Sequence, residues 1–334
     1  MIRKTLPGLA ALAILVAATS GEGSVRERIR ERMAQRMSEQ IANDRTTDGR
    51  TMAYGDDPLQ TLAFWPALAP TGTATARPAP LILFVHGGGW KRGDLTNATG
   101  KAKVAHFTAE GYAFASINYR LVPDARVEDQ AADVASALAW IIAHAGALGI
   151  DPARIVLMGH SAGAHLVALV GTDPRYLDAA GLDETAIAGV VPIDGAAYDV
   201  PQQMKAGARI MGPTYEQAFG TDPERQRTIS PTFQAAVPNA PAFLILHVQR
   251  VDGMAQARGL ADALRAAGTP VQIEGFDGTG LRGHMEINRS LGDPAYPATA
   301  IVDTWLRTRF GGQRLSESNG VSAPAKAGAH GGSI

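Results

Sequence analysis

At 334 residues the chain is long enough for one large α/β domain with a sizeable core, or for two small ones. Hydrophobic residues at 46% and charged residues at 19% mark it as globular rather than disordered. The formal net charge of −1 gives no electrostatic case for a nucleic-acid partner. The absence of cysteine excludes a disulfide framework, a thiol nucleophile, a Cys-based zinc site and a lipoprotein anchor.

The amino terminus has the layout of an export signal across residues 1–20. Arg3 and Lys4 supply positive charge, Leu6 to Ala18 is apolar but short for a membrane span, and Ala17 to Ser20 offer small residues for cleavage. Cleavage there predicts a periplasmic or secreted protein with no stable membrane insertion. Residues 21–50 form a charged extension, in which Ile29, Met33, Met37 and Ile41 place a narrow apolar stripe on a helix spanning 25–44.

Thr51 to Pro66 predicts two extended pieces broken at Gly55-Asp56-Asp57-Pro58, and Pro70 to Pro80 a loop. An α/β alternation follows. Strands are expected at Leu81–Val85, Tyr112–Ile117, Arg154–Met158, Ile187–Ile193, Ala242–Val248 and Val271–Phe276. Helices are expected at Asn97–Glu110, Val127–His144, Met254–Ala267 and Ala298–Arg309. Such alternation implies right-handed crossovers and a mostly parallel sheet covered on both faces, so the fold class is α/β. The catalytic domain is expected over 51–310.

Asp199 to Phe233 breaks the rhythm with Pro201, Pro213, Pro223, Pro231 and several glycines. It predicts a small irregular cap above the carboxyl ends of the strands, where open α/β sheets bind ligands. It looks thin for an interfacial lid, which needs an amphipathic helix with a wide apolar face. Residues 311–334 lack periodicity and predict a disordered tail.

Ser161 stands in Gly159-His160-Ser161-Ala162-Gly163, between an apolar strand and an apolar helix. A sharp strand-to-helix turn presents a serine oxygen cleanly, and its neighbours two residues either side must then be glycine. A serine nucleophile needs a base. Among eight histidines, His330 lies in the tail, and His106 and His144 fall on helix surfaces. His160 and His165 are committed to the elbow, His247 ends a strand, and His86 opens a glycine loop. His284 remains, in the loop Asp277 to His284 after the last strand. Asp252, after the preceding strand, is the expected acid, because the order Ser161, Asp252, His284 belongs to one serine-hydrolase architecture. Its rivals are Asp194, a polar group near the pocket floor, and Asp277, which shares the loop of His284.

His86-Gly87-Gly88-Gly89-Trp90 follows the first buried strand. The N–H groups of Gly88 and Gly89, with that of Ala162, are the expected oxyanion hole. His86 and Trp90 border the pocket. Arg120 and Asp133 are expected to form a structural ion pair. No nucleotide loop or metal-ligand cluster occurs, so no cofactor and no metal are expected.

These pieces, with Asn118-Tyr119-Arg120-Leu121, resemble the α/β-hydrolase superfamily across about Leu59 to Phe310. Within it the chain is similar to the esterase/lipase branch with an HGGG-type loop, which includes hormone-sensitive-lipase-like, feruloyl-esterase-like and kynurenine-formamidase-like enzymes. The resemblance implies a serine esterase that passes through an acyl-enzyme and acts on a small-molecule ester. One departure stands out: many relatives carry His-Gly-x-x-Asp before the acid, whereas His247-Val248-Gln249-Arg250-Val251-Asp252 lacks the glycine and sets the acid one residue later. Cleavage of an activated amide, as in arylformamidases, is the alternative chemistry. A binding module on the same fold is the non-enzymatic one. The oligomeric state is open.

Overall fold

The computed structural model describes residues 46, 48–68, 77–96 and 98–311. The expected export signal, the charged helix at 25–44, most of the loop after Pro70 and all of the tail beyond Gly311 lie outside the described residues.

Eight strands form one sheet in the order β1-β2-β4-β3-β5-β6-β7-β8. β1 (Arg50–Ala53) and β2 (Thr61–Trp65) are the two extended pieces expected, joined as an antiparallel pair. β2 is also antiparallel to β4 (Ala113–Ile117). The remaining pairings are parallel, through β3 (Ala79–Val85), β5 (Ile150–His160), β6 (Gly189–Ile193), β7 (Phe243–Gln249) and β8 (Val271–Thr279).

Side chains alternate across a strand, and β3 shows the consequence. Leu81, Leu83 and Val85 enter one apolar cluster, with α2 (Val127–Ala143), α4 (Ala162–Thr172) and α9 (Val251–Ala266). Ile82 and Phe84 enter the other, with α1 (Lys101–Ala109), α10 (Gly280–Ser290) and α11 (Pro297–Arg309). Short helices α3 (Ala145–Leu148) and α5 (Pro174–Ala179) flank the sheet. The central strands are apolar throughout because both faces are covered.

Two expectations change. The segment from Asp199 to Phe233 is helical: α6 (Val200–Phe219), α7 (Pro223–Thr228) and α8 (Pro231–Gln234). Asp199 caps α6 by accepting from the Gln202 N–H at 2.9 Å, Pro201 occupies its first turn, and Gly220 ends it at φ 65°. These residues start and stop helices; they do not abolish them. The second change is at His284, which lies on α10, not in a loop. The glycines before it permit close approach: a Cβ on Gly283 would stand 2.5 Å from the Gly278 carbonyl carbon.

Candidate active site

The carboxyl ends of β3, β5, β6, β7 and β8 converge on Ser161. β5 runs to His160, α4 begins at Ala162, and Ser161 between them takes φ 57° and ψ −116°. That backbone is strained for a non-glycine residue and persists where the surroundings impose it. Here the crowding is visible. A Cβ on Gly159 would strike the Gly163 carbonyl, and one on Gly163 would strike the Val85 carbonyl. The turn therefore tolerates only glycine at both places, and the Ser161 N–H is tied to the Ile193 carbonyl at 3.0 Å.

After β3 the chain passes through Gly88 at φ 132° and Gly89 at φ 63°. Trp90 follows at φ 61°, an uncommon value for a bulky residue. Its carbonyl is held by the Gln130 side-chain amide at 2.8 Å and the Val122 N–H at 3.1 Å. His86 supports the loop from below. Its ring stacks on Tyr119, its carbonyl accepts from the Tyr119 hydroxyl at 2.9 Å, and its Nδ1–H donates to the Gly87 carbonyl at 2.7 Å. Burial lowers the His86 pKa to about 4, so it stays neutral as a strut.

His284 reaches Ser161 from α10. Ser161 Oγ–H donates to His284 Nε2 at 2.9 Å, and His284 Nδ1–H donates to a carboxylate at 2.6 Å. That carboxylate is Asp194, immediately after β6. Asp194 takes φ 42°, and its other oxygen accepts from the Val248 N–H at 3.1 Å. Burial opposes its ionisation. The His284 hydrogen bond, the Arg250 guanidinium and the Val248 N–H outweigh burial and hold the carboxyl below its ordinary range.

The expectation for the acid is thereby corrected. Asp252 lies in the first turn of α9, where its side chain accepts from Gln203 Nε2 at 3.3 Å and is about one-third exposed. It does not reach His284. The β7–α9 connection instead delivers Arg250 to the site, with Nε 3.4 Å from Asp194 Oδ2. Asp277 is exposed on β8. Asp194, expected only near the pocket floor, is the group that meets the base.

The neighbouring histidines also find places. His160 Nε2–H donates to the His284 carbonyl at 2.9 Å, and the two rings lie 4.4 Å apart. Burial, then the charges of His284 and Lys103, push the His160 pKa far down, so it serves as a neutral brace. His165 Nε2–H donates to the Ile229 carbonyl of the cap at 2.8 Å, and its Nδ1 accepts from the Trp90 indole at 3.3 Å. Trp90 is buried and packs edge-on against His165, Tyr215 and Phe219. The expected Arg120–Asp133 pair is present, with Nη2 to Oδ1 at 2.7 Å on a buried carboxylate.

Arg250 and the helical nature of the cap escaped the reading of the sequence. The missing glycine in His247 to Asp252 was the available signal, since Val248 stands in its place and the stretch carries Arg250.

A mostly parallel sheet, a strained serine on a strand-to-helix turn and a histidine–carboxylate pair at the strand ends define an α/β-hydrolase. The chain belongs to the BD-FAE family, whose model matches residues 70–252. It is 34% identical to esterase LipC of Mycobacterium tuberculosis over 238 residues, covering 68% of this chain and 57% of that protein. It is 33% identical to the probable carboxylic ester hydrolase LipM of the same organism over 240 residues, covering 67% of this chain and 53% of LipM. The chain thus spans little more than half the length of these relatives. Among solved structures, esterase B from Lactobacillus rhamnosis superposes with a TM-score of 0.66 at 20% identity, over 85% of this chain and 94% of that one. Native esterase 2 of Thermogutta terrifontis gives 0.62 at 24% identity, over 81% and 95%.

Proposed function

We propose that this chain is a serine hydrolase that cleaves carboxylic esters through an acyl-enzyme. The observation that carries the proposal is the continuous hydrogen-bonded line from Ser161 Oγ through His284 to Asp194, at 2.9 and 2.6 Å. Relatives named as esterases support it.

The chemistry follows from the roles. Ser161 Oγ attacks the ester carbonyl carbon while its proton passes to His284 Nε2. Asp194 fixes the Nδ1–H tautomer and stabilises the imidazolium. The carbonyl oxygen becomes an oxyanion beside the N–H groups of Gly88, Gly89 and Ala162, which no backbone acceptor takes among the described residues. Collapse expels the alcohol, which receives the proton from His284. Water, activated by the same histidine, then attacks the acyl carbon and releases the acid and free Ser161.

The substrate is small to medium and water-soluble. Trp90, Tyr215 and Phe219 fill the space beside the glycine loop with interlocked buried rings. Thr214 of α6 stands over Gly89, where an added Cβ would lie 3.2 Å from its methyl group. Both features crowd the space beside Gly89 and favour a short acyl chain. Among the described residues no helix is long and apolar enough to cross a membrane. The apolar run Leu6 to Ala18 supports export.

A fluorophosphonate probe tests the proposal. Mass spectrometry is expected to place the label on Ser161, and p-nitrophenyl esters to be cleaved best at acetate or butyrate. Label on another serine, or rates that climb steadily to palmitate, would overturn the corresponding part.

A further inference from the structure

We infer that Arg250 is a positioning residue that clamps Asp194, and that Asp252 works on the base only through it. This rests on the hydrolase reading above and adds two residues to that site.

Two aspartates face the same guanidinium. Arg250 Nε lies 3.4 Å from Asp194 Oδ2, the same oxygen that takes the His284 Nδ1–H, and 3.9 Å from Asp252 Oδ1. Its Nη2 lies 3.5 Å from the Gly195 carbonyl. The guanidinium is 16% exposed, Asp194 is fully buried, and Asp252 is about one-third exposed. Arg250 is thus a shared cation between a buried carboxylate on β6 and a solvent-facing one on α9. In this dry setting a single charge contact acts strongly on the carboxylate it faces.

The clamp is itself held. Gln203 of α6 donates to Asp252 Oδ2 at 3.3 Å and to the Tyr215 hydroxyl at 3.0 Å. Gly253 leaves the room the guanidinium needs, since a Cβ there would stand 3.0 Å from Arg250 Nη2. A line of contacts therefore runs from the cap helix to Asp252, Arg250, Asp194 and His284. It explains why Asp252, placed where an acid was expected, sits apart from the base. The carboxylate on the base comes from β6, and the position after β7 supplies the residue that steadies it.

Other charged or titratable groups face the pair from every side. His160 of β5 lies with its ring 4.4 Å from that of His284 and itself feels the charge of Lys103 on α1, while Tyr198 and Tyr296 lie within electrostatic reach of Asp194. Among the groups that favour the ionised Asp194 carboxylate, the His284 hydrogen bond comes first and the Arg250 guanidinium next.

The test compares Arg250→Met, Arg250→Lys, Asp252→Asn and the double variant Arg250→Met/Asp252→Asn in the full chain. Removing the cation that faces Asp194 Oδ2 leaves the negative charge of that carboxylate less balanced beside the imidazole it holds. The acid limb of the kcat/KM profile is therefore expected to move up by roughly one pH unit in Arg250→Met, with KM little changed and Arg250→Lys restoring the limb. Asp252→Asn is expected to cost a few-fold in kcat alone and almost nothing in the Arg250→Met background, the mark of action through a shared partner. A profile for Arg250→Met that superimposes on the parent, or equal Asp252→Asn losses in both backgrounds, would overturn the inference. Proton NMR of the downfield His284 Nδ1–H signal follows the same titration without turnover. A parent protein with that signal but no ester cleavage would sink the hydrolase reading, while the displaced titration in Arg250→Met would still report the clamp.

Discussion

The two sides of the site are built in opposite ways. On the side of β3 and β5, the glycine loop and the serine elbow are fixed by local backbone. Gly88, Gly89, Trp90 and Ser161 adopt positive φ, and the carbonyls around Gly159 and Gly163 leave no space for a side chain. On the side of β6, β7 and β8, side chains far apart in sequence meet: Asp194, itself at positive φ, reaches His284 over 90 residues of sequence. Local constraint leaves a motif in the sequence. Tertiary convergence leaves only candidates.

Substitutions can break each side separately. The largest effect is expected at the nucleophile. Ser161→Ala should remove on the order of 10⁶ from kcat while circular dichroism stays unchanged, because members of such a triad act as a unit. Activity within about tenfold of the parent would refute its role. Next comes the acid. Asp194→Asn should cost roughly 10⁴ in kcat by spoiling the imidazole tautomer, whereas Asp252→Asn should cost less than about tenfold. The reverse ranking in a steady-state assay would make Asp252 the acid.

The elbow is expected to fail as structure before it fails as chemistry. A methyl group on Gly163 has only the Val85 and His86 carbonyls to meet, and backbone cannot step aside as a side chain can. Gly163→Ala should destabilise by roughly 3 kcal/mol, or about 6–12 °C in Tm by calorimetry. An unchanged melting curve would mean that the turn relaxes cheaply and that its motif is not sterically imposed.

The same contrast explains what was legible in the sequence. Nearly every strand and helix of the sheet layers was expected within a few residues, because period and punctuation are local. Ser161 and the glycine loop were legible for that reason too, whereas His284 follows only from elimination among the histidines. The acid was not. Asp194 and Asp252 each follow a strand that ends near the site and Asp277 lies on the last one, and which of them faces His284 is decided by tertiary packing. The cap looks irregular in the sequence because Pro201, Pro213 and Gly220 resemble breakers, although the first opens α6 and the last closes it. Likewise the glycines before His284 suggested a loop, yet they serve the close approach of β8 to α10.

Away from the chemistry, the two halves are also tied at the surface. His106 on α1, just after the glycine loop, meets Asp303 on the last helix, with Nε2 to Oδ1 at 2.8 Å. Burial alone would lower the pKa of this histidine. The hydrogen bond to Asp303 and the charges of Asp303 and Glu110 outweigh it and raise the value above that of a free imidazole. A folded-state pKa above the unfolded one means that stability from the pair is fully present below about pH 6.5 and is lost as pH rises through the folded value. The pair is partly buried at the edge of a helix layer, and an isolated pair of this kind contributes about 0.5–1 kcal/mol. Asp303→Asn should therefore melt roughly 1–3 °C below the parent near pH 6, and the gap should close by about pH 8.5. A gap that is constant across this range would show that Asp303 stabilises α11 by packing or by its own hydrogen bonds. A gap that widens with pH would show that the imidazole is held neutral, and that the tie between the halves is not an ion pair.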